Sequence, residues 1–275
     1  MVVLLILGLM SPRVLGANPA ASLRPEATTG SKQQIPVLLY HDLKPGAGSE
    51  NGAIVSVEEF AAQMQWLHDH GYTTISTDDL FRWLQGETEL PPRSVLITFD
   101  DGYESMYQYA YPILKRYGFQ AVVFMVTGLS GQRTGSLSYL SWEQMQEMEA
   151  SGLVEIQGHT HDGHRLVDGV PVLTTWPAGE IRSDLERLNR SLTLHGLRPV
   201  TAFAYPYGVY DADVIEVLKA AGLKLAFTTQ HGYVSKDADS YTLNRVIVFP
   251  GTDLCQFARL VDPEGSTVAS TCHGV

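Results

Sequence analysis

The chain alternates short apolar runs with amphipathic segments, and this alternation constrains its fold more than any other feature. At Ser56, for example, a capping-box spacing to Glu59 precedes apolar residues at helical intervals. Strand-like apolar runs lie at 35–40, 95–99, 121–126, 154–156, 200–204, 225–229 and 245–249. Strands that alternate with helices predict right-handed crossovers and a parallel sheet. About seven such units in one chain predict an α/β barrel rather than two separate domains.

The first residues predict export from the cell. An apolar run at 1–10 is followed by small residues, and its length suits a signal peptide better than a bilayer span. We therefore predict a signal peptide at 1–17, a polar linker at 18–33, a main domain at 34–260 and a tail at 261–275. This predicts a secreted or cell-envelope protein with no stable membrane span once the signal is removed. A buried N-terminal strand is the alternative, since no Lys or Arg precedes the apolar run.

The charge of the chain argues against one class of partner. Its 275 residues include 30 Asp and Glu but only 19 Lys and Arg, a formal net charge of -11 at pH 7. Proteins that bind nucleic acid need clustered basic residues against the phosphates, so we predict no nucleic-acid partner. A neutral or cationic ligand fits better. Cys255 and Cys272 are the only cysteines, and the sequence leaves open whether they pair.

Two adjacent carboxylates, Asp100 and Asp101, follow the strand-like run at 95–99 in the sequence TFDDG. In a parallel α/β fold, active residues collect where strands end and loops begin. Neighbouring side chains at a strand end point in different directions. One carboxylate can therefore bind a metal ion while the other faces a substrate water. Taken alone, Asp-Asp-Gly is also an ordinary turn.

Three histidines, His159, His161 and His164, lie within six residues after the run at 154–156, in a chain with nine histidines in total. Neutral imidazoles are preferred ligands of zinc, cobalt and nickel, and a loop would let His159 and His164 converge on one ion. His161 is then spare, lining a cleft or facing solvent. The alternative is a polar surface turn with no ligand.

A third motif, FAYPYG, follows the run at 200–204. Pro206, with a glycine two residues later, predicts a rigid turn that can present a backbone N–H to a ligand. Tyr205 and Tyr207 offer flat surfaces on which a sugar ring could stack. Turns of this composition are common, so the motif carries weight only beside the other two.

Together, TFDDG, HTHDGH and FAYPYG resemble the polysaccharide deacetylase (NodB-homology) group, which is carbohydrate esterase family four. The resemblance covers roughly residues 34–257. It implies a single catalytic domain folded as a distorted (β/α) barrel of about seven parallel strands. It also implies a hydrolase that removes N-acetyl groups from amino-sugar polysaccharides with a divalent metal ion. Zn²⁺ is the first choice for that ion, with Co²⁺ or Ni²⁺ as alternatives.

The resemblance also implies a role for each motif residue. Asp101, His159 and His164 would bind the metal ion, and Asp100 would be the general base. The backbone of Tyr207 would help to hold the oxyanion, and Tyr205 and Pro206 would contact the substrate.

One departure from the family concerns the general acid. The family usually ends with a Leu-x-His segment that supplies this histidine, and nothing after Phe249 matches it. The matching residues, VLLYHD, stand instead near the start of the chain and place His41 in that role. Because a barrel is a closed ring, its first strand can take the place of a last one. A permuted subgroup that acts on poly-N-acetylglucosamine looks similar. The alternative is a strand-end histidine capped by Asp42.

A second departure concerns the arginine that usually orients the catalytic aspartate from the third motif. Phe203 holds that place here. Arg245, in the sequence LNRV, is the candidate replacement from the next strand, and an ordinary surface arginine is the alternative. In the segment at 168–179, Trp176 either stacks on a sugar or simply packs.

The substrate remains open among peptidoglycan, chitin-type oligomers and poly-N-acetylglucosamine. Three other functions are compatible with the same motifs. They are a catalytically silent carbohydrate-binding domain, an esterase acting on O-acetylated xylan, and an amidase acting on a small acylated molecule or a peptide.

Overall fold

The apolar runs of the sequence fold into a ring of parallel strands. The computed structural model describes residues 33–46, 52–262, 265 and 272. In chain order the barrel strands are β1 (Val37–Tyr40), β2 (Ser94–Phe99), β3 (Ala121–Met125), β4 (Val154–Gly158), β5 (Ala202–Ala204), β6 (Leu225–His231) and β7 (Leu243–Ile247). β1 pairs in parallel with β2 on one side and with β7 on the other, so the ring closes. The predicted single-domain (β/α) barrel of about seven strands is confirmed.

Helices connect the first six strands, and one further helix follows the last strand. They are α1 (Val57–Asp69), α2 (Thr77–Leu84), α3 (Tyr111–Tyr117), α4 (Trp142–Ala150), α5 (Ala178–Leu194), α6 (Ala212–Ala220) and α7 (Leu254–Val261). The capping box predicted at Ser56 and Glu59 starts α1. The sequence analysis missed α2 and α7, although each begins with a capping box of its own. No helix in the described ranges is both long enough and apolar enough to cross a membrane.

Several shorter elements accompany the barrel strands and the helices. Thr73–Thr74 extends the sheet beyond β2, and Met106–Ala110 forms a π-helical turn that leads into α3. Three 3-10 turns lie at Thr127–Leu129, Val172–Thr174 and Pro206–Gly208. Four further strand pairs are Gln34–Ile35 with Val234–Ser235, Asp42–Lys44 with Ile54–Ser56, Arg133–Thr134 with Leu137–Ser138, and Leu166–Val167 with Val170–Pro171.

The strands alternate their side chains between two apolar layers. In β2, Val95, Ile97 and Phe99 belong to the layer between the ring and its helices. Leu96 belongs to the second layer, which fills the barrel together with Phe124 and the side chains of the other strands. Burial of this apolar surface is the main favourable contribution to folding. A polar side chain inside the barrel must therefore find partners there.

The pairing register brings the predicted functional positions to one end of the barrel. Tyr40 is level with Phe99, and Gly158 is level with Met125. His41, Asp100 and His159 each follow one of these strands directly. They therefore lie around the same mouth, at the carboxyl ends of the strands, where ligands of parallel α/β folds bind.

The described residues cover only part of what the sequence predicts for the two ends of the chain. The predicted signal peptide and the linker up to residue 32 lie outside them, as does most of the predicted tail. Cys255, in α7, forms a disulfide with Cys272. The question of their pairing, which the sequence left open, is settled by this bond.

Candidate active site

Asp101, His159 and His164 converge at the barrel mouth. Asp101 Oδ1 lies 3.5 Å from His159 Nε2 and 3.2 Å from His164 Nε2. One ligand atom from each residue lies within 4.8 Å of the others. Asp101 Oδ1 is buried and accepts no hydrogen bond from the described residues. A buried oxygen without a partner is costly, and a divalent cation held by one carboxylate and two imidazoles would satisfy it.

The two imidazoles turn the same ring nitrogen, Nε2, towards Asp101. His159 Nδ1 lies 2.7 Å from the carbonyl oxygen of Ala204. A carbonyl only accepts, so Nδ1 carries a proton, and Nε2 is the ring nitrogen that faces Asp101. Burial lowers the pKa of His159, but the carboxylates of Asp101 and Asp100 outweigh it and the net pKa is raised. Burial and the charge of His159 lower the pKa of His164 to about 4, so His164 is neutral at pH 7.

The backbone is strained around these residues. Asp101, Thr160 and Tyr207 have left-handed φ values of 70°, 77° and 59°. Such φ values cost non-glycine residues about 1–3 kcal/mol each, and strain of this kind clusters at functional sites. Gly102 also has a positive φ, and a Cβ there would lie 2.0 Å from the sulfur of Met125. The TFDDG motif therefore needs its glycine for space as well as for conformation.

Asp100 is held by Arg245. Two guanidinium nitrogens of Arg245 each donate to one carboxylate oxygen of Asp100, at 2.7 Å, and Nε donates to the carbonyl of Thr228 at 2.8 Å. The arginine side chain is 0% exposed, so the surface-arginine alternative is wrong. Burial raises the pKa of Asp100, but the guanidinium outweighs it and the net pKa is lowered. Asp100 is thus a fixed, ionised carboxylate beside the triad.

His41 lies at the same mouth. It follows β1, and the N–H of Asp100 donates to the carbonyl of Tyr40 at 3.0 Å. The imidazole is half-buried, and after burial, Arg245 and His159 it makes the smallest contribution, which lowers the pKa of Asp100. Asp42, the residue expected to cap His41 in the alternative, lies 3.6 Å from the ammonium of Lys44. The acid role of His41 stays a prediction, and the fold places this residue at the end of the strand that pairs with β2.

The third motif divides into one exposed residue and two buried ones. Tyr207 is 42% exposed, and its ring centroid lies 4.6 Å from that of His164. A Cβ on Gly208 would lie 2.7 Å from the backbone nitrogen of Thr229, which explains the glycine. Tyr205 and Pro206 are buried, and the Tyr205 hydroxyl donates to the carbonyl of Tyr241. The prediction that these two side chains contact the substrate is therefore wrong, because both are buried and neither is accessible to a ligand.

Trp176 packs against the loop that carries His164. Its ring is half-buried, and a Cβ on Gly163 would lie 3.2 Å from it. The Arg165 guanidinium lies over the ring at 5.8 Å from the centroid. The packing alternative thus has direct support, whereas stacking of Trp176 on a sugar stays a prediction. His161, the spare histidine, contacts the hydroxyl of Thr127 through Nδ1 at 2.9 Å.

The sequence analysis missed Asp184, which anchors the histidine loop. Its carboxylate accepts from the backbone N–H groups of His161 and Asp162, at 2.7 and 2.9 Å. Asp184 is buried on the inner face of α5, between Ile181 and Leu188. An acidic residue on an otherwise apolar helix face was the available signal. Its partner could not be identified before the fold was known.

The chain belongs to the polysaccharide deacetylase family. The family model of that description matches residues 87–226. The YxkH protein of Bacillus subtilis (strain 168) is 34% identical over 234 residues, which cover 85% of this chain and 78% of that protein. The poly-beta-1,6-N-acetyl-D-glucosamine N-deacetylase of Staphylococcus aureus (strain MRSA252) is 33% identical over 196 residues, which cover 70% of this chain and 67% of that protein. Among solved structures, IcaB from Ammonifex degensii matches with a TM-score of 0.73 at 33% identity, over 83% of this chain and 97% of that one.

Replacing Arg245 should destabilise the fold. In Arg245→Met the Asp100 carboxylate stays buried without its partner, which should lower the free energy of unfolding by about 3–5 kcal/mol. Urea unfolding measures this change. Arg190→Ala, which removes an exposed arginine from α5, is the control and should change stability by less than about 0.5 kcal/mol. Adding Asp100→Asn to Arg245→Met should recover part of the loss. Equal stability of Arg245→Met and the control would refute the structural importance of the pair.

Replacing Asp184 should weaken metal binding. Asp184→Ala frees two N–H groups of the histidine loop, and we expect the Zn²⁺ affinity to fall about 10–100-fold. Asp184→Asn keeps one acceptor oxygen and should lose less. Titration against a competing chelator measures both, with Glu186→Ala, an exposed change on the same helix, as the control. An unchanged affinity in Asp184→Ala would show that the loop does not depend on this anchor.

Proposed function

We propose that this protein is a metal-dependent N-deacetylase of amino-sugar polysaccharides. The observation that carries the proposal is the contrast between two neighbouring carboxylates. Asp100 is paired with Arg245, whereas Asp101 turns an unpartnered oxygen towards two imidazoles. A catalytically silent sugar-binding domain would have no use for an ionised base beside a set of metal ligands.

Poly-β-1,6-N-acetylglucosamine is the first candidate substrate, ahead of peptidoglycan and chitin-type polymers. The Staphylococcus aureus relative is named for deacetylation of that polymer, and its identity of 33% spans most of this chain. The place of His41, after the first barrel strand, supports the same choice because it matches the permuted subgroup.

Asp101, His159 and His164 would hold the metal ion, for which Zn²⁺ is the first choice. When bound, a divalent ion at such a site polarises the amide carbonyl and lowers the pKa of a coordinated water. Asp101 and His159 are both largely withdrawn from solvent, and His164 is 21% exposed. The third ligand therefore marks the side from which a substrate can enter.

The chain's own residues then divide the proton transfers between them. Asp100, kept ionised by Arg245, takes the proton of the attacking water as general base. The backbone N–H of Tyr207 stabilises the negative charge that develops on the carbonyl oxygen. An amine leaves poorly unless it is protonated, so protonated His41 donates a proton to the departing nitrogen. Arg245 is a positioning residue in this scheme, since it acts through Asp100.

The proposal includes a location outside the cytoplasmic membrane. It follows from the predicted signal peptide at 1–17 and from the polymeric substrate, which lies outside the cell. The polymer and the metal ion are then the only partners that the function requires.

The test is acetate release from poly-β-1,6-N-acetylglucosamine, peptidoglycan, chitin oligomers and acetylated xylan, with and without a chelator. We expect chelator-sensitive release from at least one N-acetylated polymer, with recovery on addition of Zn²⁺. Release from xylan alone would favour the esterase. Chelator-insensitive release, or no release from any polymer, would refute the proposal.

A further inference from the structure

Two hydrogen bonds, one on each side of His41 in the chain, link this residue to the segment that carries Asp100. The carbonyl of Tyr40, directly before His41, accepts from the N–H of Asp100 at 3.0 Å. The N–H of Leu43, shortly after His41, donates to the side-chain hydroxyl of Ser105 at 3.0 Å. Both bonds lead to the segment that begins with Asp100. The backbone of the proposed acid is therefore linked twice to the segment of the proposed base.

The second of these bonds depends on a side chain. Leu43 lies in a short strand that pairs on one side with Ile54–Ser56. The N–H of Asp42 donates to the carbonyl of Ala53 on that side, so the N–H of Leu43 points to the opposite side. Leu43 is 1% exposed, and a buried N–H must find an acceptor within the protein. The Ser105 hydroxyl is that acceptor.

Ser105 is held in place by the turn that follows the TFDDG motif. The N–H of the preceding residue, Glu104, donates to the carbonyl of Ser138 at 2.8 Å. The π-helical turn Met106–Ala110 begins at the next residue, and turns of this kind are frequent at functional sites. A serine before a helix ordinarily bonds to the helix backbone through its side chain, but Ser105 makes no such bond. Its hydroxyl bonds to Leu43 instead.

We propose that Ser105 is a positioning residue, which holds His41 where it can protonate the leaving nitrogen while Asp100 acts on the water. This inference rests on the proposed function and deepens it, because it assigns a further residue to the same reaction. Ser105 acts through Leu43 and the backbone of His41. Without its hydroxyl, one of the two links to the segment of Asp100 is lost. Misplacement of a reacting group by about 1 Å can lower a rate by about 100-fold.

The position of an acid matters only when the leaving group needs a proton. An amine leaves poorly unless it is protonated, whereas a nitrophenolate leaves as an anion. Loss of the Ser105 hydroxyl should therefore slow the cleavage of an amide and spare the cleavage of a nitrophenyl ester. A defect in folding, in the metal site or in the base would slow both reactions.

The test measures Ser105→Ala on two substrates. They are an N-acetylglucosamine pentamer of the linkage that the wild type deacetylates, and nitrophenyl acetate. We expect kcat on the pentamer to fall about tenfold or more while KM stays within about twofold. Hydrolysis of nitrophenyl acetate should stay within about twofold of the wild type, which also shows that the variant is folded.

Ser94→Ala is the matched control. Ser94 is also buried, and its hydroxyl donates to the carbonyl of Pro91 at 2.8 Å. It lies at the first residue of β2, whereas Asp100 follows the last one. Ser94→Ala therefore removes a buried, hydrogen-bonded hydroxyl far from the mouth of the barrel. It should leave kcat on both substrates within about twofold of the wild type.

A double-mutant cycle with His41→Gln separates a positioning role from a purely structural one. If Ser105 acts through His41, its hydroxyl should matter little in a chain that already lacks the imidazole. Adding Ser105→Ala to His41→Gln should then change kcat on the pentamer by less than about twofold. Bound Zn²⁺ should be the same in all four proteins of the cycle.

Several results would overturn the proposal while the proposed function stands. They are an unchanged kcat on the pentamer in Ser105→Ala, an equal loss on both substrates, a loss of bound Zn²⁺, full activity in His41→Gln, and an equal effect of Ser105→Ala with and without the imidazole. If the wild type does not hydrolyse nitrophenyl acetate, the double-mutant cycle decides. If the wild type releases no acetate from any N-acetylated pentamer, the proposed function fails and the Ser105 proposal fails with it.

Discussion

The ion pair between Asp100 and Arg245 joins the chemistry of this protein to its fold. The two residues come from β2 and β7, which lie on either side of β1, so the pair forms only when the ring of strands is closed. Enclosing two charges is costly unless each is well paired, and here the carboxylate receives two parallel hydrogen bonds. Barrel closure therefore positions the Asp100 carboxylate, and this carboxylate in turn gives β7 a specific partner across the barrel.

This pair also explains how adjacent carboxylates acquire different surroundings. Asp100 directly follows β2, and its carboxylate turns towards Arg245. Asp101 adopts a left-handed conformation and turns towards His159 and His164 instead. A closed ring has no structural first or last strand, so the proposed acid can come from β1 and the arginine from β7. His41 and Arg245 thus occupy places that the related motifs usually fill from other parts of the chain.

Much of this could be predicted from the sequence, because the decisive signals are local. Apolar runs predicted all seven barrel strands, and the TFDDG and HTHDGH motifs identified the residues that meet at the mouth of the barrel. Contacts between distant segments were harder, since Asp100 and Arg245 are 145 residues apart and nothing local relates them. Burial explains the errors at Tyr205 and Pro206, because a short motif does not show which of its side chains face the core. Asp184 was missed because the two backbone N–H groups that it accepts from belong to a distant loop.

The central claim is that Asp100 serves as the base while Asp101 is a metal ligand. Parallel measurements of bound Zn²⁺ and acetate release in Asp100→Asn and Asp101→Asn test it most directly. The account predicts that Asp100→Asn keeps about one metal ion per chain and loses most of its activity. It predicts that Asp101→Asn loses both the metal ion and the activity. Full activity in Asp100→Asn, or full metal occupancy in Asp101→Asn, would contradict it.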